Sequence, residues 1–161
     1  MLFRSGIWAA GDVNGQALFT PVAQYQARIA VADMFGADAP AADYSVLPTS
    51  IFTDPELGSV GMTEEQALEQ GLDVDVARNE YVKRFSFIGE RAGLFKIVYE
   101  RGSRRVLGLH VLSRNAGDIV QGFSLGLRLG ATVDELAAMH HVFPTFGEGI
   151  KAAAERATAS T

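Results

Sequence analysis

Two apolar runs joined by a tight turn constrain this chain more than any other feature. Gly93-Leu94-Phe95-Lys96-Ile97-Val98-Tyr99 and Arg105-Val106-Leu107-Gly108-Leu109-His110-Val111-Leu112 flank Arg101-Gly102-Ser103. Runs rich in β-branched and aromatic residues around a glycine turn read as a β-hairpin, so antiparallel sheet is required. Three weaker strand signals precede it: Tyr44 to Thr53 with Val46, Ile51 and Phe52; Gly58 to Met62; and Val74 to Val82. Between them, Thr63-Glu64-Glu65-Gln66 is a capping box, and the helix it opens ends at Gly71. Helical signals follow the hairpin. Ala116 to Leu129 sets Ile119, Val120, Phe123 and Leu127 on one stripe, and Thr132 caps a short helix through Ala138. Strands first and helices later predict an α+β fold, an antiparallel sheet flanked by helices.

Both ends of the chain carry chemistry-bearing patterns. Near the C-terminus, Met139-His140-His141-Val142-Phe143-Pro144-Thr145-Phe146-Gly147-Glu148-Gly149 puts a histidine pair before a proline and a carboxylate after it. Pro144 suits helix position N1, so a helix is expected from there through Lys151 and Ala154. Glu148 then falls in the first turn, where negative charge is favoured. A carboxylate beside an imidazole is what a general acid–base pair needs. The same pattern also fits a plain helix start after two solvated histidines. Near the N-terminus, Gly6-Ile7-Trp8-Ala9-Ala10-Gly11-Asp12-Val13 reads as a short strand ending in Gly-Asp. A helix follows from Phe19-Thr20-Pro21-Val22-Ala23 to about Phe35, with Thr20 as N-cap and Pro21 at N1. Glycine lets a ligand approach the backbone, and the Asp12 carboxylate accepts hydrogen bonds from hydroxyls. A plain strand-to-helix turn is the alternative.

Between the ends, Gly36-Ala37-Asp38-Ala39-Pro40-Ala41-Ala42-Asp43 has no periodicity and reads as a linker. Gly122 and Gly126 lie one turn apart in a helix that each weakens by ~1 kcal/mol. Close packing on the domain's own sheet accounts for them, as does close approach by a neighbouring element. His110 falls in a strand among apolar neighbours and is given no role; Lys83, Arg84, Arg101, Arg104 and Arg105 read as a solvated face around strand ends.

The net charge of −5 argues against nucleic-acid and anionic-membrane partners. No apolar run reaches spanning length. The chain has no cysteine, and its three histidines show no zinc spacing, so no metal site is expected.

Four motifs in order resemble the C-terminal part of the pyridine nucleotide–disulfide oxidoreductases, which include dihydrolipoamide dehydrogenase, glutathione reductase and mercuric reductase. Ile7–Val13 resembles the second FAD motif, and Phe19–Ala23 the start of the helix that abuts the flavin. Pro48–Glu64 resembles the segment leading into the dimerisation domain, and Pro144–Glu148 the terminal active-site motif. The resemblance implies residues 1–36 as the last strand and helix of an FAD-binding domain, 37–44 as linker and 45–161 as a dimerisation domain. It implies FAD as cofactor of a longer parent, not bound by this piece, with NAD or NADP as co-substrate. The piece is expected to form a homodimer, to be inactive alone, and to be cytoplasmic. Gly11, Asp12, Thr20, Val22 and Ala23 are the implied FAD contacts. His141 and Glu148 are the implied catalytic residues, on a loop acting in the partner subunit's site.

Several expected features are absent or altered. No G-x-G-x-x-G fingerprint follows a strand, and there is no redox cysteine pair. Met1 is read as an artificial or mis-called start. In disulfide-reducing members a histidine directly precedes the proline, whereas here Phe143 does. The mercuric reductase branch has a tyrosine there and a downstream run similar to Glu148-Gly149-Ile150-Lys151, though it also ends in a cysteine pair that this chain lacks. The alternative is a stand-alone dimerising module without redox chemistry.

Overall fold

The computed structural model describes residues 6–36, 40–90 and 93–159. The chain divides into two compact units, Met1–Tyr44 and Ser45–Thr161.

Unit 2 is built on a five-stranded antiparallel sheet. Its strands are β1 (Thr49–Ile51), β2 (Glu56–Gly61), β3 (Val74–Asn79), β4 (Leu94–Glu100) and β5 (Val106–Ser113), in spatial order β1-β2-β5-β4-β3. The expected hairpin β4–β5 lies at its centre, with Ile97 opposite Leu109, Phe95 opposite Val111, and an irregularity between Val98 and Tyr99. Alternation sorts the side chains into two layers. Phe95, Ile97, Leu109 and Val111 face one side, where they pack with helices α4 (Ala116–Arg128), α5 (Val133–Ala138) and α6 (Glu148–Ala159). Val98 and Leu107 face the other, under Ala67 of α2 (Glu64–Glu69). The fold is α+β with an antiparallel sheet flanked by helices, as the order of strand and helix signals predicts.

Small residues bring α6 onto the sheet. Gly149, Ala153, Ala154 and Ala157 are buried, and a Cβ on Gly149 would stand 2.4 Å from the Phe95 ring. Local capping holds the shorter helices. Thr63 and Gln66 form the expected capping box of α2, Gly71 follows it at φ +75°, and Thr132 with Glu135 caps α5 in the same way.

Unit 1 carries α1 (Thr20–Met34), preceded by a 3-10 turn at Asp12–Asn14. Here the sequence reading needs correction. The expected strand over 6–13, the last strand of an FAD-binding domain, does not form: Ile7 makes one isolated bridge and residues 8–10 none. A strand exists only through its neighbours, and every strand assigned among the described residues lies in unit 2. Thr20 is the first helical residue, not the N-cap. Phe19 holds the cap position, its carbonyl accepting from Val22 N and Ala23 N at 3.0 and 3.1 Å.

Three corrections fall in unit 2. The strand expected from Tyr44 to Thr53 is confined to Thr49–Ile51. Pro144 does not open α6, which begins four residues later at Glu148. Phe146 packs against Phe85 at 5.8 Å between ring centroids, holding the chain in an irregular segment first. Lys83 and Arg84, read as part of a solvated basic face, open a further helix, α3 (Lys83–Ile88), with Phe85 fully buried. Residues 37–39 of the expected linker lie outside the described residues.

Candidate functional site

The candidate residues fall in both units. In unit 1, Gly11 takes φ +85° and leads into the turn that carries Asp12, whose side chain is exposed. The turn is fastened from below by Gln26, a fully buried residue of α1. Gln26 Oε1 accepts from Gly11 N at 2.6 Å and from Asn14 Nδ2 at 3.0 Å, while its Nε2 donates to Tyr44 Oη at 2.9 Å. Gly11 also lies against α1: a Cβ there would be 3.5 Å from that of Ala23. Unit 1 therefore brings Gly11 close to Ala23 at the start of α1, which also carries Thr20 and Val22. An exposed carboxylate on a glycine turn suits the hydroxyls of a polyol-bearing cofactor, and the positive end of a helix suits negative charge on it. Gln26 was missed because a glutamine within a helical pattern gives no sign that it is buried.

In unit 2 the terminal loop carries His141 and Glu148. They do not meet: among the described residues no hydrogen bond joins them. His141 Nδ1 lies 3.2 Å from Met139 O, which also accepts from Lys151 Nζ at 3.2 Å. Glu148 Oε1 accepts from Lys83 N at 2.6 Å, and Oε2 is buried without a hydrogen-bond partner. Val142 and Phe143 are exposed, Phe143 to 68%. The loop thus presents an apolar tip, with the imidazole and the carboxylate each engaged elsewhere.

On the helical side of unit 2, α4 and α5 form an open apolar groove of about 760 Å³. Its lining includes Gly122, Leu125, Gly126, Leu129 and Met139, with Leu125 64% and Leu129 77% exposed. A Cβ on Gly122 would meet nothing, and one on Gly126 only ordinary contacts with Phe123 and Ala131. Close packing on the domain's own sheet therefore does not explain the Gly122–Gly126 pair, whose backbone lies open along the groove.

His110 is not merely packed. Its Nδ1 lies 2.6 Å from Ser59 Oγ and its Nε2 3.0 Å from Met62 O. A carbonyl only accepts, so Nε2 carries the proton and Nδ1 accepts from the hydroxyl. Burial, then the nearby Lys96, push its pKa down.

Unit 2 is an α+β domain with helices α4, α5 and α6 on one face of its sheet, an open apolar groove between α4 and α5, and an irregular segment before its last helix. The chain belongs to the pyridine nucleotide–disulphide oxidoreductase family: the family's dimerisation domain matches residues 47–154. Among relatives, a mercuric reductase from Lysinibacillus sphaericus is 39% identical over 150 residues, covering 92% of this chain and 28% of that protein. A mitochondrial dihydrolipoyl dehydrogenase from Pisum sativum is 32% identical over 152 residues, 93% of this chain and 30% of that protein. The HOCl-induced flavoprotein disulfide reductase RclA from Escherichia coli superposes with a TM-score of 0.81 at 27% identity, covering 92% of this chain and 35% of that one. The chain thus spans about a third of the length of the proteins it matches. Among the described residues no helix is long and apolar enough to cross a membrane, and no cluster of metal-ligating side chains occurs.

Proposed function

We propose that this chain is the C-terminal part of an FAD-dependent NAD(P)H oxidoreductase, cytoplasmic, that forms the homodimer and lends its terminal loop to the partner's substrate site. Residues 1–36 would be the end of an FAD-binding domain, 37–44 a linker and 45–161 the dimerisation domain. The observation that carries the reading is the open groove between α4 and α5, with Leu125 and Leu129 left bare on a domain of a dimerising family. Apolar surface of this kind on a folded domain marks an interaction site.

The residues of unit 1 fit FAD. Asp12 would accept hydrogen bonds from its hydroxyls, Gly11 would let the backbone approach it, and the start of α1 at Thr20, Val22 and Ala23 would face negative charge on it. Bound FAD supplies electron transfer from NAD(P)H; the chain's own part is to bind and orient. In the terminal loop, Phe143 stands where disulfide-reducing members carry histidine. This supports a site nearer the mercuric reductase branch, with His141 and Glu148 acting on the loop's shape more than on protons. The built turn Gly11–Asn14 favours this over a module without redox chemistry, which has no use for it.

Light scattering on the 161-residue chain, with absorbance in the flavin region, tests the reading. A dimer without flavin is expected. A monomer at micromolar concentration argues against the dimerising role. In the coding sequence upstream, a G-x-G-x-x-G motif and a cysteine pair are expected, and their absence removes the parent enzyme.

A further inference from the structure

Helix α3 begins without local help. Its N-cap residue is Val82, whose side chain has no acceptor, and no side-chain cap bond is made there. The first N–H groups of any helix need partners. The one on Lys83 finds Glu148 Oε1 at 2.6 Å, across 65 positions of sequence.

The bond is one of several contacts between the same two segments. Phe146, two residues before Glu148, packs on the fully buried Phe85. The Arg84 guanidinium lies over the other aromatic partner of that pair, 5.9 Å from the Phe146 ring centroid. Residues 146 and 148 thus grip residues 83 to 85. The imidazole of His141 is held apart, by Met139 O.

We propose that Glu148 is a positioning residue that latches the terminal loop to α3, and that it does not orient a histidine. The catalytic meaning of the latch rests on reading residues 139–148 as an active-site loop; the latch itself needs only this chain. A carboxylate bonded to a backbone N–H is charge-assisted and stronger than a neutral pair. Replacing it should free Lys83 N and loosen Phe146 while leaving the imidazole's surroundings as they are.

The test is amide hydrogen exchange and histidine ring titration by NMR on the 161-residue chain, comparing wild type, Glu148→Ala and Glu148→Gln. The amide variant keeps an oxygen for Lys83 N; alanine does not. Exchange at Lys83 should quicken roughly five- to tenfold in Glu148→Ala, the usual worth of a lost helix cap, and stay within about threefold of wild type in Glu148→Gln. The titration curves of the His141 ring resonances should superimpose in all three. Unchanged Lys83 exchange in Glu148→Ala overturns the latch. So does a His141 curve that moves to lower pH in Glu148→Gln, since that would show the carboxylate acting on the imidazole. The Glu148→Gln comparison decides the matter if the alanine variant does not fold. Dimer mass and flavin content report on the parent function separately: a monomeric chain leaves the latch standing, and a failed latch leaves the dimer standing.

Discussion

Ser59 and His110 face each other across adjacent strands 51 positions apart in sequence, and the Ser59 hydroxyl donates to Nδ1 of a neutral imidazole at 2.6 Å. Protonation removes that acceptor and places a second positive charge beside Lys96, opposite His110 on β4. Glu65 opposes this effect and offsets only part of it. The folded-state pKa is below the unfolded value, so the unfolded chain binds more protons as the medium acidifies. The stability from neutral His110 is complete above about pH 6.5 and is lost as pH falls through the folded pKa. Urea titrations from about pH 7 to pH 5 should show wild-type stability falling by at most ~1.4 kcal/mol per pH unit from this group. His110→Gln, which keeps a donor for Met62 O, should flatten that slope; an equal slope in both proteins would remove His110 as its source.

A charge in the α4–α5 groove should dissociate the chain. Leu129→Asp alters a residue 77% exposed, so the domain's own core loses little. The expected result is a monomer by light scattering with an unchanged circular dichroism spectrum. A dimer of wild-type stability would place the interface elsewhere.

Gly149 admits no side chain. In Gly149→Ala the new methyl would stand 2.4 Å from the Phe95 ring, forcing α6 off the sheet or Phe95 out of its rotamer. Overpacking of this kind costs typically 1–3 kcal/mol. Chemical denaturation should show a loss of about that size, against the gain that alanine gives in an unobstructed helix.

The capping box of α5 should be worth about 1 kcal/mol. Thr132→Ala removes the acceptor for Glu135 N at 3.2 Å and the hydroxyl that donates to Glu135 Oε2 at 2.9 Å. Thr132→Ser, which keeps the oxygen, should retain most of the stability; equal losses in both would shift the cause from the bond to the methyl group.

What was legible in the sequence was local. The β4–β5 hairpin, the capping box at Thr63 and the amphipathic stripe of α4 each announce themselves within a few residues, because turn chemistry and periodicity act over that range. The errors have the opposite character. Helix α3 has no cap of its own and is too short for periodicity; its support comes from Phe85 in the core and from Glu148, 65 positions on. The apolar run Ile7 to Val13 has strand composition, but among the described residues no strand lies beside it. Gly11 and Asp12 could be picked out as a glycine turn with an exposed carboxylate, whereas Gln26, which holds that turn, gave no sign. Glu148 was recognisable as a first-turn carboxylate, but not its partner. Nor could the Ser59–His110 bond be foreseen, since it depends on the register of β2 against β5.

The central place of the β4–β5 hairpin bears on the order in which the domain assembles. Its strands are joined by a turn of a few residues, so closing it costs little chain entropy. Pairing β2 with β5 instead closes a loop of about fifty residues, and β1, whose local hairpin with β2 is only three residue pairs long, reaches the rest of the sheet through that step. Assembly is therefore expected to start at the middle of the sheet and spread to both edges, as a hypothesis about the transition state. In stopped-flow experiments, conservative truncations such as Ile97→Val in β4 should slow refolding. Truncations in β1, such as Ile51→Val, should act mainly on unfolding. The reverse pattern would mean that the edges organise first and the hairpin closes last.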